Sequence, residues 1–345
     1  MIALSTAYNI SKHKDPVSMV EEIKSLGFSA IELNVEVPES FISEIAKRIK
    51  IVSVHNYCPR IDFIPTGKTI YSPYNMTSTD GNERTTAVKL TKKTIDVANS
   101  VGAEAIVIHA GEIDMKITGR ALAKKYNETK YKKNLWNEGL QSLVNGTNSN
   151  HKCSPNFSSG ERSEEADYKN YLETFLLERK AKSKIFLENL LKSFDELIIY
   201  AERKNVKIGV ENRFWADEIP SLADYEIIFD RFNSNAIGFW YDVGHSIVAE
   251  KQGLVKNHLD FLEKYSDRLI GVHLHDVIDV YDHKAPGTGE VNFMEISKFI
   301  NSDALIVNET HLPSTKEDLK NSIEYLKNNG FHRFMVGRNK TVVLI

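Results

Sequence analysis

Cysteine is nearly absent. Cys58 and Cys153 are the only two in 345 residues, too few for a secreted disulfide scaffold and without the close pairing of a zinc knuckle, so reduced thiols in the cytoplasm are expected. No apolar run approaches the length needed to span a bilayer, and residues 1–10 lack the basic flank and long apolar stretch of a signal peptide. The expectation is a cytoplasmic protein with no membrane partner. Strong charge of either sign is missing too: a formal net charge of -3 provides no global field to gather nucleic acid, leaving only local patches for that role. No G-x-G-x-x-G follows the first apolar run, and Gly287-Thr-Gly289 comes late without opening a helix, which disfavours a dinucleotide fold.

What the chain does have is alternation. Hydrophobic residues make up 41% and charged ones 26%, the balance of an ordinary globular protein. Short apolar runs alternate with longer amphipathic stretches, as in repeated βα units. The candidate strands are residues 2–4, 30–33, 51–54, 105–108, 208–210, 237–241, 269–272 and 305–307. Helix stops fall at Gly27, Gly102 and Asn205, each just before a strand. Starts are expected at Asp15 with Pro16, and at the capping-box pairs Ser221 with Asp224 and Thr315 with Asp318. Eight units favour one α/β domain over residues 1–345, closed as a (β/α)8 TIM barrel rather than left as an open doubly wound sheet.

The regularity breaks once. The connection from His109 to Ile208 is far longer than the usual few residues, so a long insertion after the fourth strand, about residues 112–184, is expected to rise from the catalytic rim as a lid. Within this connection 116–143 reads as basic and helical, 145–163 as a mobile stretch rich in Asn, Ser and Gly, and 168–203 as helical again.

From the second strand to the eighth, the C-terminal ends read Glu32, His55, His109, Glu211, Asp242, His273 and Glu309, and in a barrel such ends converge on one rim. The chain holds 47 acidic residues and 11 histidines, so seven unselected ends would all be of these types roughly once in 10⁵ to 10⁶ trials. Freedom in choosing the ends erodes that figure without removing it. Buried carboxylates and imidazoles are costly unless they neutralise one another or bind a cation, which makes a divalent metal the economical explanation. Mixed Glu, Asp and His ligands suit Mn²⁺, Zn²⁺, Co²⁺ or Mg²⁺ alike. Glu211, Asp242, His273 and Glu309, at four consecutive ends, are the metal candidates. His55 and His109 are additional ones, weighed against the commoner case of a satisfied core histidine, and Glu32 is weighed against a structural ion pair.

Local motifs add detail. Asp242 and His245 stand three apart across Gly244, able to face one site. His273 and His275 share a strand face if the strand persists, and His275 and Asp276 otherwise become supporting partners. The run His283 to Glu290 is a loop whose glycines permit close backbone approach to a ligand. Arg213 places a cation beside Glu211, able to hold a substrate hydroxyl, carboxylate or phosphate, or to form a surface salt bridge.

Together, Val54-His-Asn56, Ile108-His-Ala-Gly111, Val210-Glu-Asn-Arg213, Tyr241-Asp-Val-Gly-His245, His273-Leu-His-Asp276 with His283 and Gly287-Thr-Gly289, and Asn308-Glu309 resemble the xylose isomerase-like TIM-barrel superfamily. That superfamily includes sugar isomerases and epimerases and the endonuclease IV type of apurinic endonuclease. The resemblance runs from the first strand to about Gly330, apart from the insertion. In the epimerase branch it implies that Glu211, Asp242, His273 and Glu309 bind one metal, that Glu211 and Glu309 are catalytic and exchange protons with a sugar through an enediolate, and that His245 contacts substrate; Arg213 and His275 are then further substrate-binding candidates.

In the endonuclease branch the resemblance implies that His55, His109, His245 and His283 join those four to hold up to three zinc ions and cut abasic DNA. That branch also expects an aspartate two residues before His283, where Tyr281 stands, and the adjacent Asp282 is expected to point elsewhere. The missing aspartate and the net charge favour one ion and a small sugar-like substrate. The stretch Lys124, Lys125, Tyr126, Lys130, Tyr131, Lys132, Lys133 and Trp136 supports nucleic acid, but reads more simply as the solvated face of a lid. A non-catalytic metal-binding protein is the remaining alternative, and a homo-oligomer is compatible with the sequence.

Overall fold

The computed structural model describes residues 1–129 and 164–334. Eight strands close into a parallel barrel: β1 (Ile2–Ser5), β2 (Ala30–Leu33), β3 (Lys50–His55), β4 (Ala105–Ile108), β6 (Lys207–Glu211), β8 (Ile237–Asp242), β9 (Leu269–Leu274) and β12 (Leu305–Asn308). Closure comes from β1, which pairs β2 on one side and β12 on the other. All eight expected strands are present, each within one or two residues of its expected ends. Two antiparallel ribbons were not foreseen: β5 (Gly111–Glu112) pairs β7 (Glu218–Ile219), and β10 (Asp276–Ile278) pairs β11 (Tyr281–Lys284). Both are too short to carry a periodic signal.

The helices are α1 (Pro16–Ser25), α2 (Glu39–Ala46), α3 (Gly81–Val101), α4 (Gly119–Glu128), α5 (Glu164–Lys204), α6 (Leu222–Arg231), α7 (Val243–Lys251), α8 (Asp260–Tyr265), α9 (Phe293–Ser297) and α10 (Lys316–Leu326). Their punctuation is local chemistry. Asp15 accepts from the amides of Val17 and Ser18, Ser221 and Asp224 form a capping box, and so do Thr315 and Asp318. Gly27, Gly102 and Asn205 all take positive φ at the expected stops.

Inside the insertion, α4 falls within the expected helix of 116–143. Residues 145–163, Cys153, Lys130, Tyr131, Lys132, Lys133 and Trp136 lie outside the described residues. Helix α5 runs 41 residues, about 60 Å, without a break at the expected boundary near 184. Its C-terminal half packs beside α3, where Tyr200 Oη donates to Asp96 Oδ1 at 2.9 Å. Its N-terminal half grips the rim, with Glu178 accepting from the Lys116 amide at 2.7 Å.

A small apolar cluster fills the barrel axis: Ala3, Ala30, Val52, Ala105, Val107, Trp240, Ile270, Leu305 and Val307. Trp240 fits because two residues against its ring on the flanking strands, Gly209 and Gly271, have no side chains. A Cβ on Gly209 would stand 2.7 Å from its Cε3, and one on Gly271 2.5 Å from its Cζ3. Two residues further along the same three strands, the period of two puts Glu211, Asp242 and His273 on the same inward face, one layer above. Among the described residues no helix is long and apolar enough to cross a membrane.

Candidate metal centre

On that upper layer the ligand atoms of Glu211, Asp242, His273 and Glu309 lie within 4.8 Å of one another, all four residues buried. His273 Nδ1 is the focus: Glu211 Oε1 stands 2.7 Å from it, Glu309 Oε2 2.9 Å and Asp242 Oδ2 3.6 Å. The opposite ring nitrogen faces Glu32 Oε1 at 3.1 Å, and Ser53 Oγ donates to Glu32 Oε2 at 2.7 Å. Glu32 is thus a buried partner behind the histidine, the ion-pair alternative weighed from the sequence.

Burial opposes charge on His273, but the carboxylates of Glu309 and Glu32 outweigh it and hold its pKa well above the usual imidazole value. Burial likewise raises Glu309, yet the neighbouring histidines pull its carboxyl well below the ordinary range. Three buried carboxylates therefore converge on one imidazole nitrogen. Donor spacings of this size suit the edges of a coordination shell with metal–ligand bonds of roughly 2.0–2.2 Å, so these residues fit a single divalent cation.

Asp242 is held from three sides. Its Oδ1 accepts from the His245 amide at 2.7 Å as the N-cap of α7, its own amide donates to Asn212 Oδ1 at 2.7 Å, and His275 Nε2 lies 3.0 Å from both carboxylate oxygens. His275 Nδ1 accepts from the His283 amide at 2.9 Å. With both nitrogens engaged and the ring buried, His275 is placed to hold Asp242 and does not line the cavity above.

A second group forms beside Glu211. His109 Nε2 is 3.0 Å and His55 Nε2 3.8 Å from Glu211 Oε2, and the two imidazoles meet edge to face at 4.6 Å. Arg213 Nη1 donates to the same oxygen at 2.6 Å, while its Nε and Nη2 reach Glu218 Oε1 at 3.3 and 3.0 Å. Burial, with Arg213 nearby, pushes His109 down to about 3, so it stays neutral.

The third group corrects an expectation. Asp282 does turn to the site: its Oδ1 is 2.9 Å from His283 Nδ1 and its Oδ2 3.8 Å from His245 Nε2. Tyr281, where the endonuclease pattern expects the aspartate, is 64% exposed. The physical reason is His283, whose φ of 56° breaks the strand alternation so that adjacent side chains face the same way. The glycine loop differs from expectation as well. The Gly287 amide donates to Asp276 Oδ2 at 2.8 Å, and a Cβ on Gly289 would stand 2.5 Å from Asp276 Oδ1. The close approach is to a buried structural carboxylate, not to a ligand.

Above the centre opens a cavity of about 810 Å³ reached by His55, His109, Glu211, Arg213, His245, His283 and Glu309. Sequence reasoning missed several of its other walls: Lys68, Tyr71, Phe214, Trp215 and His311. His311 stacks on His283 at 4.0 Å and lies two residues past Glu309, on the same rim as the strand end. From α4, Arg120, Ala123 and Asn127 line the cavity. Tyr126 turns the other way, 1% exposed and packed edge to face on Tyr168, so it offers no stacking platform for a base.

Residues 167–329 match the family described as xylose isomerase-like TIM barrel. An uncharacterized protein of Sinorhizobium fredii is 33% identical over 117 residues, covering 34% of this chain and 36% of that protein's own length. Among solved structures, a D-tagatose 3-epimerase-like protein superposes with a TM-score of 0.60 at 19% identity, over 97% of this chain and 98% of the other. A 3-keto-D-glucoside 4-epimerase from E. coli gives 0.59 at 14% identity, over 95% and 98%. A Thermus thermophilus protein soaked with ZnCl2 gives 0.53 at 14%, over 96% and 97%. The resemblance read from the motifs therefore holds over residues 167–329, and the fold of the whole barrel is that of these solved structures.

Proposed function

We propose that this protein is a metal-dependent isomerase or epimerase acting on a sugar or sugar derivative. The observation that carries the reading is the approach of Glu211 and Glu309 to one point, 2.7 and 2.9 Å from His273 Nδ1, at the floor of a cavity large enough for a small polyhydroxylated molecule. A divalent cation held by Glu211, Asp242, His273 and Glu309 would supply polarisation of adjacent carbonyl and hydroxyl oxygens. One glutamate takes the proton from the carbon beside the carbonyl, leaving an enediolate. The other glutamate, once it has taken a proton from solvent, delivers it to the opposite face, giving the epimer, or to the neighbouring carbon while the hydroxyl proton passes to the former carbonyl oxygen, giving the isomer; the first glutamate then returns its proton to solvent. His245, with Nδ1 at 2.9 Å from the Asn212 carbonyl, turns Nε2 toward the cavity for a substrate hydroxyl. The fold shared with sugar epimerases supports the same reading.

The test is solvent-deuterium incorporation, followed by NMR, across a panel of ketoses, aldoses and their phosphates with Mn²⁺ or Co²⁺ present. Wild-type protein is expected to label the carbon next to the carbonyl of one substrate class, and Glu211→Gln or Glu309→Gln to stop it. Exchange retained in both variants would remove the glutamates from the chemistry.

A second reading, metal-dependent phosphodiester cleavage at abasic DNA, draws on Asp282. With Asp282 beside His245 and His283, and His55 with His109 beside Glu211, the rim offers donors for more than one ion, as clustered-metal hydrolysis requires. Cleavage of an abasic oligonucleotide by zinc-loaded protein, without labelling of any sugar, would establish it in place of the first.

A further inference from the structure

We infer that Arg213 is a built-in cation that takes the place of a second metal ion beside His55, His109 and Glu211. The inference rests on the metal centre described under Proposed function and concerns what stands next to it.

Glu211 divides its two oxygens. Oε1 faces His273 Nδ1 and the metal centre; Oε2 faces His109 at 3.0 Å and His55 at 3.8 Å. By composition and spacing those three residues are a candidate metal group, and an ion there would have to share Oε2. That oxygen already accepts from Arg213 Nη1 at 2.6 Å. A guanidinium keeps its proton throughout the accessible pH range, so a divalent ion on Oε2 would meet a permanent positive charge a few ångströms away, shielded by little water.

Arg213 is not free to swing aside. Its side chain is 7% exposed, and Glu218 Oε1 holds Nε and Nη2. The other oxygen of Glu218 accepts from the Trp215 amide at 2.9 Å, and the Glu218 carbonyl accepts from Arg179 of α5 at 3.0 Å. The long helix of the insertion thereby clamps the strand that clamps the arginine. His109 is consistent with this role: its Nδ1 is buried with no hydrogen-bond partner among the described residues, whereas a ligating imidazole normally has its second nitrogen held. Arg213 therefore neutralises and positions Glu211, and the site next to the metal centre is kept for a fixed charge.

The test counts Zn²⁺ per chain by equilibrium dialysis and elemental analysis in four proteins. They are wild type, His109→Ala, the double variant Arg213→Met/Glu218→Gln, and that double variant with His109→Ala added. The paired change avoids leaving Glu218 buried and unpaired. His109→Ala is expected to leave the wild-type count unchanged. The double variant is expected to gain one ion, and His109→Ala to remove that gain. Loss of one ion from wild type on His109→Ala, or no gain in a folded double variant, would overturn the inference. Should the double variant not fold, the comparison of wild type with His109→Ala still decides. A wild-type protein that binds no Zn²⁺ would instead bring down the metal-centre reading itself, a separate outcome.

Discussion

Arg179 of α5 donates through Nη2 to Asp224 Oδ2 at 2.8 Å, with the two side chains 11% and 8% exposed. The same arginine reaches the carbonyls of Ala216 and Glu218 at 3.1 and 3.0 Å, so one residue of the insertion anchors the capping box of α6 and the loop behind Arg213. Replacing Arg179 with Ala leaves a buried carboxylate and two carbonyls short of donors, a loss of about 3 kcal/mol. Urea unfolding should register that loss, together with weaker metal binding as Glu218 and Arg213 loosen. A change within ~0.5 kcal/mol, the range of ordinary surface substitutions, would mean that α5 is not fastened through this contact.

Gly271→Ala should disturb the metal centre from below. The added methyl would stand 2.5 Å from Trp240 Cζ3, and Trp240 cannot yield without pressing on His273, whose ring centroid is 5.2 Å away. Overpacking of this kind costs about 1–3 kcal/mol. Calorimetric metal titration is expected to show reduced affinity along with the lower stability; unaltered affinity would show that the tryptophan layer does not set the height of His273.

Glu32→Gln tests the support behind His273. Loss of the carboxylate at Nε2 is expected to weaken metal binding by about 10–100-fold with the barrel intact. Thermal unfolding offers a second measure. Binding at 100 times the dissociation constant adds about 2.7 kcal/mol to stability, so Mn²⁺ or Co²⁺ should raise the melting temperature, a chelator should reverse the rise, and Glu32→Gln should need more metal to reach it.

Glu22 gives an acid dependence far from the centre. Burial raises its carboxyl, but hydrogen bonds from Lys316, His13 and Asn9 outweigh that and bring it to about 2. A carboxylate depressed in the folded state contributes stability that is complete above its unfolded value, about 4.3, and is lost as pH falls through its folded value. Glu22→Gln should therefore be less stable than wild type near pH 6, and the gap should close toward pH 2. A gap constant across that window would assign the loss to packing rather than to charge.

Much of this protein is legible along the chain because it depends on neighbours in sequence. The period of two in β8 sets Trp240 and Asp242 on one face, the side chains of Asp15, Ser221 and Thr315 cap their own helices, and Gly27 and Gly102 end theirs by taking positive φ. Parallel strands of one barrel point their ends to one rim, so the meeting of Glu211, Asp242, His273 and Glu309 followed from recognising the strands alone. The ribbons β5–β7 and β10–β11 did not follow, since two to four residues carry no periodic signal and their pairing joins distant segments.

By itself, then, the sequence determined the barrel, its punctuation and the convergence of the acidic and histidine strand ends, all consequences of short-range geometry repeated eight times. Tertiary structure alone decided how those side chains share their partners. It turned Asp282 inward through the backbone of His283, gave Asp276 to the glycine loop and His275 to Asp242, and set Arg213 on the oxygen of Glu211 that a second ion would need. Such choices depend on which donor comes within 3 Å of which acceptor across the barrel, a quantity with no periodicity along the chain.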